Sequence, residues 1–373
     1  MTRQLGDTAR AWVEIDLDAL RRNAAALAGH SRAALCPMVK ADAYGAGALQ
    51  VAPALESLEP WGFGVATVEE GAELREAGID RPIVVFSPLL PDALAAAHKH
   101  RLTPTLGDAD SITRWRSVAA ADGQSREAAG TAAWHLAIDT GMSRAGLRWD
   151  AVGALAGLLG EFPPEGAFTH FHSAERNDES YEVQAQRFHL AVQAMPARPP
   201  LLHAENSAAA VRKAPSRWDL IRPGIFLYGV GSGHGARLQP ESVVGVRARV
   251  IAVRWVEDGE TVSYSASYRA VGRRRIATLG IGYGDGYRRA LGNRGTVLLR
   301  GRRTPVAGVV TMDMTMIDVT DVACEIGDVA TLTGADGDTT LDVATVARTA
   351  DVSPYELLTG LRGRLPRVYA GAR

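Results

Sequence analysis

The sequence predicts an α/β chain in two parts, an N-terminal (β/α)8 barrel of the TIM type followed by a mostly β domain. Two observations predict it. Before Pro240, eight short apolar runs alternate with amphipathic segments bounded by Gly, Pro, Asp or Asn, and repeated strand–helix units of this kind close into a barrel. From about Pro240 the pattern changes to valine-rich alternating strands separated by Glu257-Asp258-Gly259 and Ala335-Asp336-Gly337 turns. At 373 residues the chain has room for both parts, since a barrel takes about 250 residues. The boundary falls at 236/237, with the barrel over 1–236 and the β domain over 237–373.

Trp12 to Asp16 alternates as a leading strand, and Asp18 can cap a helix that carries Leu20, Ala24 and Leu27 at helical spacing. The barrel runs follow at Pro37 to Lys40, Gly62 to Ala66, Pro82 to Phe86, Leu102 to Leu106, Trp134 to Asp139, Gly166 to Phe171, Leu201 to Glu205 and Leu220 to Leu227. Between them lie helix-like stretches such as Val68 to Ala77 and Ser180 to Val192. The glycine-rich stretch from Gly229 to Gly235 has the look of a phosphate loop, but it follows the last strand and precedes no clear helix, so it reads as a linker. In the second part, Val243 to Val253, Gly295 to Arg300 and Val329 to Thr333 read as strands, and a helix is expected near Thr339 to Arg348.

Composition narrows the functional classes. With 46% hydrophobic and 22% charged residues the chain should bury a large core. A net charge of −1 gives no argument for nucleic acid or an anionic membrane as partner. No apolar run approaches the roughly 18 residues of a spanning helix, and the N-terminus lacks a signal-peptide core. Cys36 and Cys324 make no metal-type spacing. Both read as reduced and buried in a cytoplasmic protein.

One residue stands apart. Of 41 basic residues only Lys40, Lys99 and Lys213 are lysines, which suggests that something at Lys40 demands a primary amine. A lysine can lose its proton on burial, attack a carbonyl and form a Schiff base, whereas arginine stays protonated. Lys40 ends an apolar strand and enters a glycine-rich turn, where barrels place their chemistry. An ordinary snorkelling lysine would account for position alone. Other polar residues stand at the same kind of place: Tyr44 past strand one, Asp139 to Arg144 after strand five, His170 on strand six, His203, Asn206 and Ser207 on strand seven, and Arg222 before Pro223-Gly224-Ile225 on strand eight. Five strand ends offering an amine, imidazoles, hydroxyls and guanidiniums to one rim are hard to explain as packing.

Val39-Lys40-Ala41-Asp42-Ala43-Tyr44-Gly45 resembles the cofactor-lysine motif of the alanine racemases, pyridoxal-phosphate enzymes of barrel and β domain. Further matches recur in the same order from Trp12 to Tyr369. The resemblance implies an isomerase that interconverts L- and D-alanine, a peptidoglycan precursor, on pyridoxal 5'-phosphate bound to Lys40. It implies a cofactor set of Tyr44, His170, Asn206, Ser207, Arg222 and the amides of Gly224 and Ile225. A phosphate approached by main-chain N–H groups leaves no room for a side chain at Gly224. Arg222 would meet the ring nitrogen; a guanidinium only donates, so the ring stays unprotonated and is a weakened electron sink. The alternative for Arg222 is a salt bridge to a carboxylate such as Asp219.

Racemisation needs a proton donor or acceptor on each face of the α-carbon. Lys40 serves one face, and by resemblance Tyr264 serves the other. The pKa of a tyrosine, about 10, must then be lowered, with His170 and Arg222 as candidates; the bland reading of Tyr264 is a strand aromatic. In the resembled family that tyrosine comes from the other subunit, with the residues matching Tyr283 at the substrate entrance and Met312 and Asp313 beside the substrate. A head-to-tail homodimer follows. Arg144 would bind the substrate carboxylate. Many members carry a carbamylated lysine seven residues earlier, where this chain has Ala137, so a bound chloride is expected to orient Arg144 instead. Milder departures are Ala46, the segment His172-Ser173-Ala174-Glu175, and Gly363, which stands where some members place a tyrosine toward the phosphate.

Other activities remain open on the residues: a racemase for serine or of broad specificity, a barrel-fold pyridoxal-phosphate decarboxylase, or a pyridoxal-phosphate carrier. A decarboxylase would want a carboxylate at the ring nitrogen, and a carrier would lack the second domain. A metal-dependent aldolase or dehydratase would want a histidine near Cys324, and no histidine follows His234.

Overall fold

The structure, a computed structural model, describes residues 9–121, 132–176, 178–233 and 236–371. The leading strand β1 (Ala11–Asp16) is followed by β2 (Ala34–Leu35), β3 (Phe63–Val65), β4 (Ile83–Val85), β5 (Thr103–Leu106), β6 (His135–Asp139), the short β7 (Leu147–Arg148), β8 (Gly166–Phe168), β9 (Leu201–Asn206) and β10 (Leu220–Arg222). These last nine form one sheet in the order β2-β10-β9-β8-β6-β5-β4-β3, with β7 attached to β6. The neighbours run parallel. Beyond β2 the chain stays extended: Met38 bridges Gly64, and the Met38 N–H donates to Pro223 O at 2.8 Å while the Val39 N–H donates to Gly64 O at 2.9 Å. The first strand is thus bonded on both sides and the ring of eight closes. β3, β4, β5, β8 and β10 are buried at every position, as expected of parallel strands covered by helices.

Helix starts follow from their caps. The first helix, Leu17–Ser31, is capped by Asp16, whose carboxylate accepts from Ala19 N at 2.9 Å. Asp18, the expected cap, sits instead in the first turn, where an acidic side chain meets the positive end of the helix dipole. Thr67 caps Val68–Glu76, and Asn206 caps Ser207–Arg212.

The second part contains β11 (Val244–Val256), β12 (Thr261–Val262), β13 (Tyr268–Arg269), β14 (Arg274–Leu279), β15 (Thr296–Leu299), β16 (Arg302–Pro305), β17 (Thr315–Asp318), β18 (Val329–Asp336), β19 (Thr339–Leu341) and β20 (Arg367–Ala370). β11 is its spine, antiparallel to β1, β14 and β18. β1 also runs parallel to β20, so the leading strand lies in this second sheet and not in the barrel. Its partners are more than 200 residues away in sequence, which no local pattern reports. The helix expected near Thr339 begins at Val343, after β19, with Asp342 as its cap. A further helix, Pro354–Thr359, follows with Ser353 as cap. Of the glycine-rich stretch after the barrel, residues 229–233 carry no regular structure; His234 and Gly235 lie outside the described residues. One hydrophobic core runs without a break from barrel residues such as Val65 and Leu136 to sheet residues such as Val246 and Leu332. No helix among the described residues is long and apolar enough to cross a membrane.

Candidate active site

The C-terminal ends of the barrel strands open into a cavity of about 940 Å³. Lys40 enters it from an unusual piece of backbone. Ala41, Asp42 and Ala43 have φ, ψ near 53°, 50°, and Tyr44 has φ 56°, so four consecutive non-glycine residues form a turn of left-handed helix. Each costs roughly 1 to 2 kcal/mol relative to right-handed backbone, and surrounding contacts must hold the turn. Glu70 is one of them: its two oxygens accept from Ala41 N at 2.6 Å and Ala66 N at 2.8 Å. Thr67 and Glu70 have the spacing of a capping box, so this residue was visible in the sequence as a helix start. Its second duty, tying the turn to the end of β3, was not.

Burial, and then the charge of Arg144, lower the pKa of the Lys40 amine below its ordinary value; Arg222 adds to this and Glu70 opposes it. An amine so placed more readily sheds its proton and becomes a nucleophile.

Arg222 lies on the cavity floor, 4% exposed. Asp219, the carboxylate offered to it by sequence proximity, pairs instead with Arg198 at 2.7 Å. Arg222 donates to His203 Nδ1 at 3.0 Å, to Thr169 O at 2.8 Å, and to Ala204 O at 3.2 Å, with His170 Nδ1 at 3.4 Å. Its guanidinium lies over the rings of Phe86 and Phe168. With no carboxylate in contact among the described residues, burial brings its pKa down to about 10, so it remains a cation at neutral pH. His170 is pushed down to about 3, by burial first and then by Arg222, Arg144 and Lys40. It is therefore a neutral imidazole, and positive charge in this region belongs to the guanidiniums and the lysine.

A narrow cradle lies at the ends of β9 and β10. Ser207 Oγ accepts from Gly224 N at 2.9 Å and Phe226 N at 3.3 Å, while the Ile225 N–H meets no acceptor among the described residues. The Asn206 side chain is spent on its helix cap, accepting from Ala209 N. Tyr44 leans over the cradle, stacked on Tyr228 with ring centroids 4.7 Å apart. A Cβ on Gly224 would stand 2.2 Å from the Tyr44 hydroxyl, so only glycine admits the phenol. Across the cavity, Arg144 follows the turn after β6. Asp139 in that turn accepts from Gly141 N and Ser143 N. Arg144 itself has no hydrogen-bond or ion-pair partner among the described residues.

Nine of the residues singled out in the sequence thus line one cavity: Lys40, Tyr44, Arg144, His170, Asn206, Ser207, Arg222, Gly224 and Ile225. Tyr264, Tyr283, Met312 and Asp313 do not line it. They stand on adjoining loops of the second part, where Ser263 Oγ donates to Val309 O, Tyr283 N to Thr311 O and Gly284 N to Met312 O. Tyr264 is no strand aromatic; it occupies a kinked 3-10 turn and is 72% exposed. Sequence reading missed Tyr355. It stands on the helix Pro354–Thr359, lines the cavity and tilts toward Tyr44 with centroids 6.0 Å apart. Its signal was available in Ser353-Pro354, which starts a helix just before it.

Taken chemically, this site offers a nucleophilic amine, a buried donor-only cation, a glycine-lined cradle and a free guanidinium for a carboxylate. The chain matches the sequence profile of the alanine racemase N-terminal domain over residues 15–232 and that of the C-terminal domain over residues 243–369. It is 38% identical over 374 residues to an alanine racemase of Symbiobacterium thermophilum, covering 96% of this chain and 97% of that one. To an alanine racemase of Halothermothrix orenii it is 35% identical, with 96% of each chain covered. Among solved structures it resembles alanine racemase from D-cycloserine-producing Streptomyces lavendulae, with a TM-score of 0.90, 31% identity and 98% of each chain covered. It also resembles that of Bartonella henselae with covalently bound pyridoxal phosphate, with a TM-score of 0.88, 28% identity, and 97% and 100% of the two chains covered. Both halves of the chain and the residues of its cavity lead to one statement: the chain belongs to the alanine racemase family.

Proposed function

We propose that the protein interconverts L- and D-alanine on pyridoxal 5'-phosphate carried by Lys40. One observation carries the reading most directly: a lysine with a lowered pKa shares a cavity with a buried arginine that only donates. The residues present fit the cofactor. The cradle holds an Ile225 N–H with no acceptor among the described residues and has no room for a side chain at Gly224, as a phosphate approached by main chain requires. The Gly224 amide, by contrast, is taken by Ser207, which leaves Ile225, Tyr44 and the serine hydroxyl as the phosphate donors. When bound, the cofactor supplies an electron sink for the α-carbon. Arg222 sets how strong that sink is, because it cannot hand a proton to a ring nitrogen.

Lys40 takes or gives the α-proton on one face and Tyr264 on the other. Tyr264 belongs to the partner's cavity, so the working unit is a head-to-tail homodimer. Its exposure, and its place on a loop adjoining those of Tyr283 and Met312, support this. His170 Nδ1 faces Arg222, which leaves the Nε2–H as a neutral donor for a phenolate oxygen. Arg144 holds the substrate carboxylate and is oriented by a bound chloride, since Ala137 offers it nothing. We place the domain boundary at 236/237, with β1 crossing over to the second sheet. Free, buried Cys36 and Cys324 support a cytoplasmic protein.

Incubating the cofactor-loaded protein with a panel of L-amino acids, followed by chiral chromatography, tests this. L-Alanine reaching equal amounts of both enantiomers is the expected result. Inert alanine alongside racemised serine or a longer amino acid would assign a different substrate. Carbon dioxide release without racemisation would point to decarboxylation.

A further inference from the structure

We propose that Arg367 and Tyr369, on the C-terminal strand β20, are positioning residues for Lys40. They clamp the left-handed turn from which Lys40 and Tyr44 reach the cavity. The inference rests on Lys40 being the cofactor lysine and adds the parts that hold it there.

The turn closes on itself through Gly45 N to Ala41 O and Gly47 N to Asp42 O, both 2.9 Å, and through Ala48 N to the Asp42 carboxylate at 2.8 Å. The carbonyls of Gly45 and Ala46 are both met by the C-terminal strand. Arg367 donates to Gly45 O from Nε at 3.2 Å and from Nη2 at 3.1 Å. Its other donors go to Leu361 O at 2.9 Å, Arg362 O at 2.9 Å and Leu365 O at 2.8 Å. The guanidinium thus gathers four main-chain carbonyls from two segments into one rigid fork, a task for which lysine, a point donor, is ill suited. Two residues on, the Tyr369 hydroxyl lies 3.0 Å from Ala46 O, to which it donates, and 3.0 Å from Gln50 Oε1.

Glycines record how close the approach is. A Cβ on Gly47, whose φ is +98°, would stand 2.0 Å from the Tyr369 hydroxyl. One on Gly45 would stand 2.6 Å from Leu358 O, on the helix that carries Tyr355. The clamp is itself anchored: β20 pairs with β1 in the register Val13–Arg367 and Ile15–Tyr369. The second sheet therefore reaches back and fixes the amine of the barrel. Neither Arg367 nor Tyr369 lines the cavity, so both act through the turn.

The experiment compares wild-type holoenzyme with Tyr369→Phe, Arg367→Ala, Arg367→Lys and a Lys40→Ala control. Two quantities are read: the rate of cofactor loss on dilution, and the fraction of bound cofactor that borohydride traps on protein, located by peptide mass. Tyr369→Phe and Arg367→Ala should each speed cofactor loss on the order of 10-fold or more, since displacement of a reacting group by about 1 Å is costly. The trapped fraction per bound cofactor should fall as well, with Arg367→Lys recovering only part. A role confined to general stability would leave the trapped fraction unchanged. Tyr369→Phe removes a single oxygen and carries the test if Arg367→Ala does not fold. Wild-type release and trapping in Tyr369→Phe, with trapping lost in Lys40→Ala, would overturn the clamp alone. Trapping that survives in Lys40→Ala would overturn the reading of Lys40 on which the clamp depends.

Discussion

Arg222 donates from Nη1 to Nδ1 of His203 across 3.0 Å inside the barrel. Because a guanidinium has no acceptor, this contact fixes the tautomer of the histidine: Nδ1 accepts and Nε2 carries the proton. His203 Nε2 lies 2.8 Å from His135 Nδ1, so the same logic makes His135 an acceptor there and a donor at its own Nε2. That atom faces a Glu165 carboxylate oxygen at 3.4 Å. A line of neutral imidazoles therefore runs down the barrel axis from a cation at the cavity floor toward a carboxylate at the opposite end. Burial lowers the pKa values of both histidines, in keeping with neutral rings.

Removing the acceptor from this line should cost stability. His203→Ala leaves a buried guanidinium donor unmet, and a hydrogen bond to a charged group contributes about 1.5 to 3 kcal/mol. Urea denaturation should show a loss of at least that size. A loss of a few tenths of a kcal/mol would mean that Arg222 finds another acceptor.

His170 gives a pH dependence whose sign can be worked out. Its pKa falls from 6.5 in the unfolded chain to about 3 in the fold. Between those values the unfolded state binds the extra proton, so stability is fully present above pH 6.5 and is lost as pH falls through the window. The effect is on the order of 2 to 4 kcal/mol, reduced by the partial exposure of the ring. In His170→Asn that share of the acid sensitivity should vanish. Equal slopes of unfolding free energy against pH in wild type and variant would reject the assignment.

Much of this is legible in the sequence, and the exceptions are physical. Apolar runs between glycine and proline punctuation located seven of the eight barrel strands, because parallel strands are buried on both faces; the first strand, Ala34–Leu35, ends before the run Pro37 to Lys40 begins, and of that run only Met38 bridges a neighbour while Lys40 already opens the turn. Lys40 declared itself by being a lysine among arginines. The partner of β1 was invisible, since pairing with β11 and β20 depends on contacts formed only after the chain has closed on itself. The same holds for Arg367 and Tyr369, whose partners in the turn lie 322 and 323 residues away in sequence. His135 and His203 look like strand-end residues in sequence, whereas the barrel turns both inward to meet each other. Tyr355 gives no signal of its own in the sequence, because packing places an aromatic on a short helix as readily as a binding site does.

Gly224→Ala should weaken cofactor binding more than it weakens the fold. The added Cβ would stand 2.2 Å from the Tyr44 hydroxyl, forcing the tyrosine off the cradle. A close clash in a packed site costs about 1 to 3 kcal/mol, which corresponds to roughly 5-fold to 150-fold in affinity if it falls on the cofactor. Equilibrium dialysis against pyridoxal phosphate would measure it, and unchanged affinity would show that Tyr44 is not held at the phosphate.

If Tyr264 serves one face of the α-carbon as proposed, Tyr264→Phe should slow α-proton exchange more strongly in one direction than in the other. Deuterium wash-in from each enantiomer of alanine, followed by mass spectrometry, separates the two. Equal losses from both enantiomers would remove Tyr264 from the second face.

Arg144 supplies the last prediction. A guanidinium without an acidic partner beside it is poorly oriented, and the place where many relatives hold a carbamylated lysine is filled here by Ala137, whose methyl group neither accepts nor carries charge. The same residue lines the cavity with Arg144, Gly107, Gly146 and Thr105, and side chains this small suit a cavity that admits a monovalent anion. Activity should therefore rise with chloride from chloride-free buffer, with the change in KM for alanine larger than the change in kcat, because the anion acts by orienting the group that binds the carboxylate. Ala137→Glu, which places a carboxylate on the same side, should flatten the response. A profile in wild type that is level at constant ionic strength would exclude an anion as the orienting group, and Arg144 would then be aligned by the substrate itself.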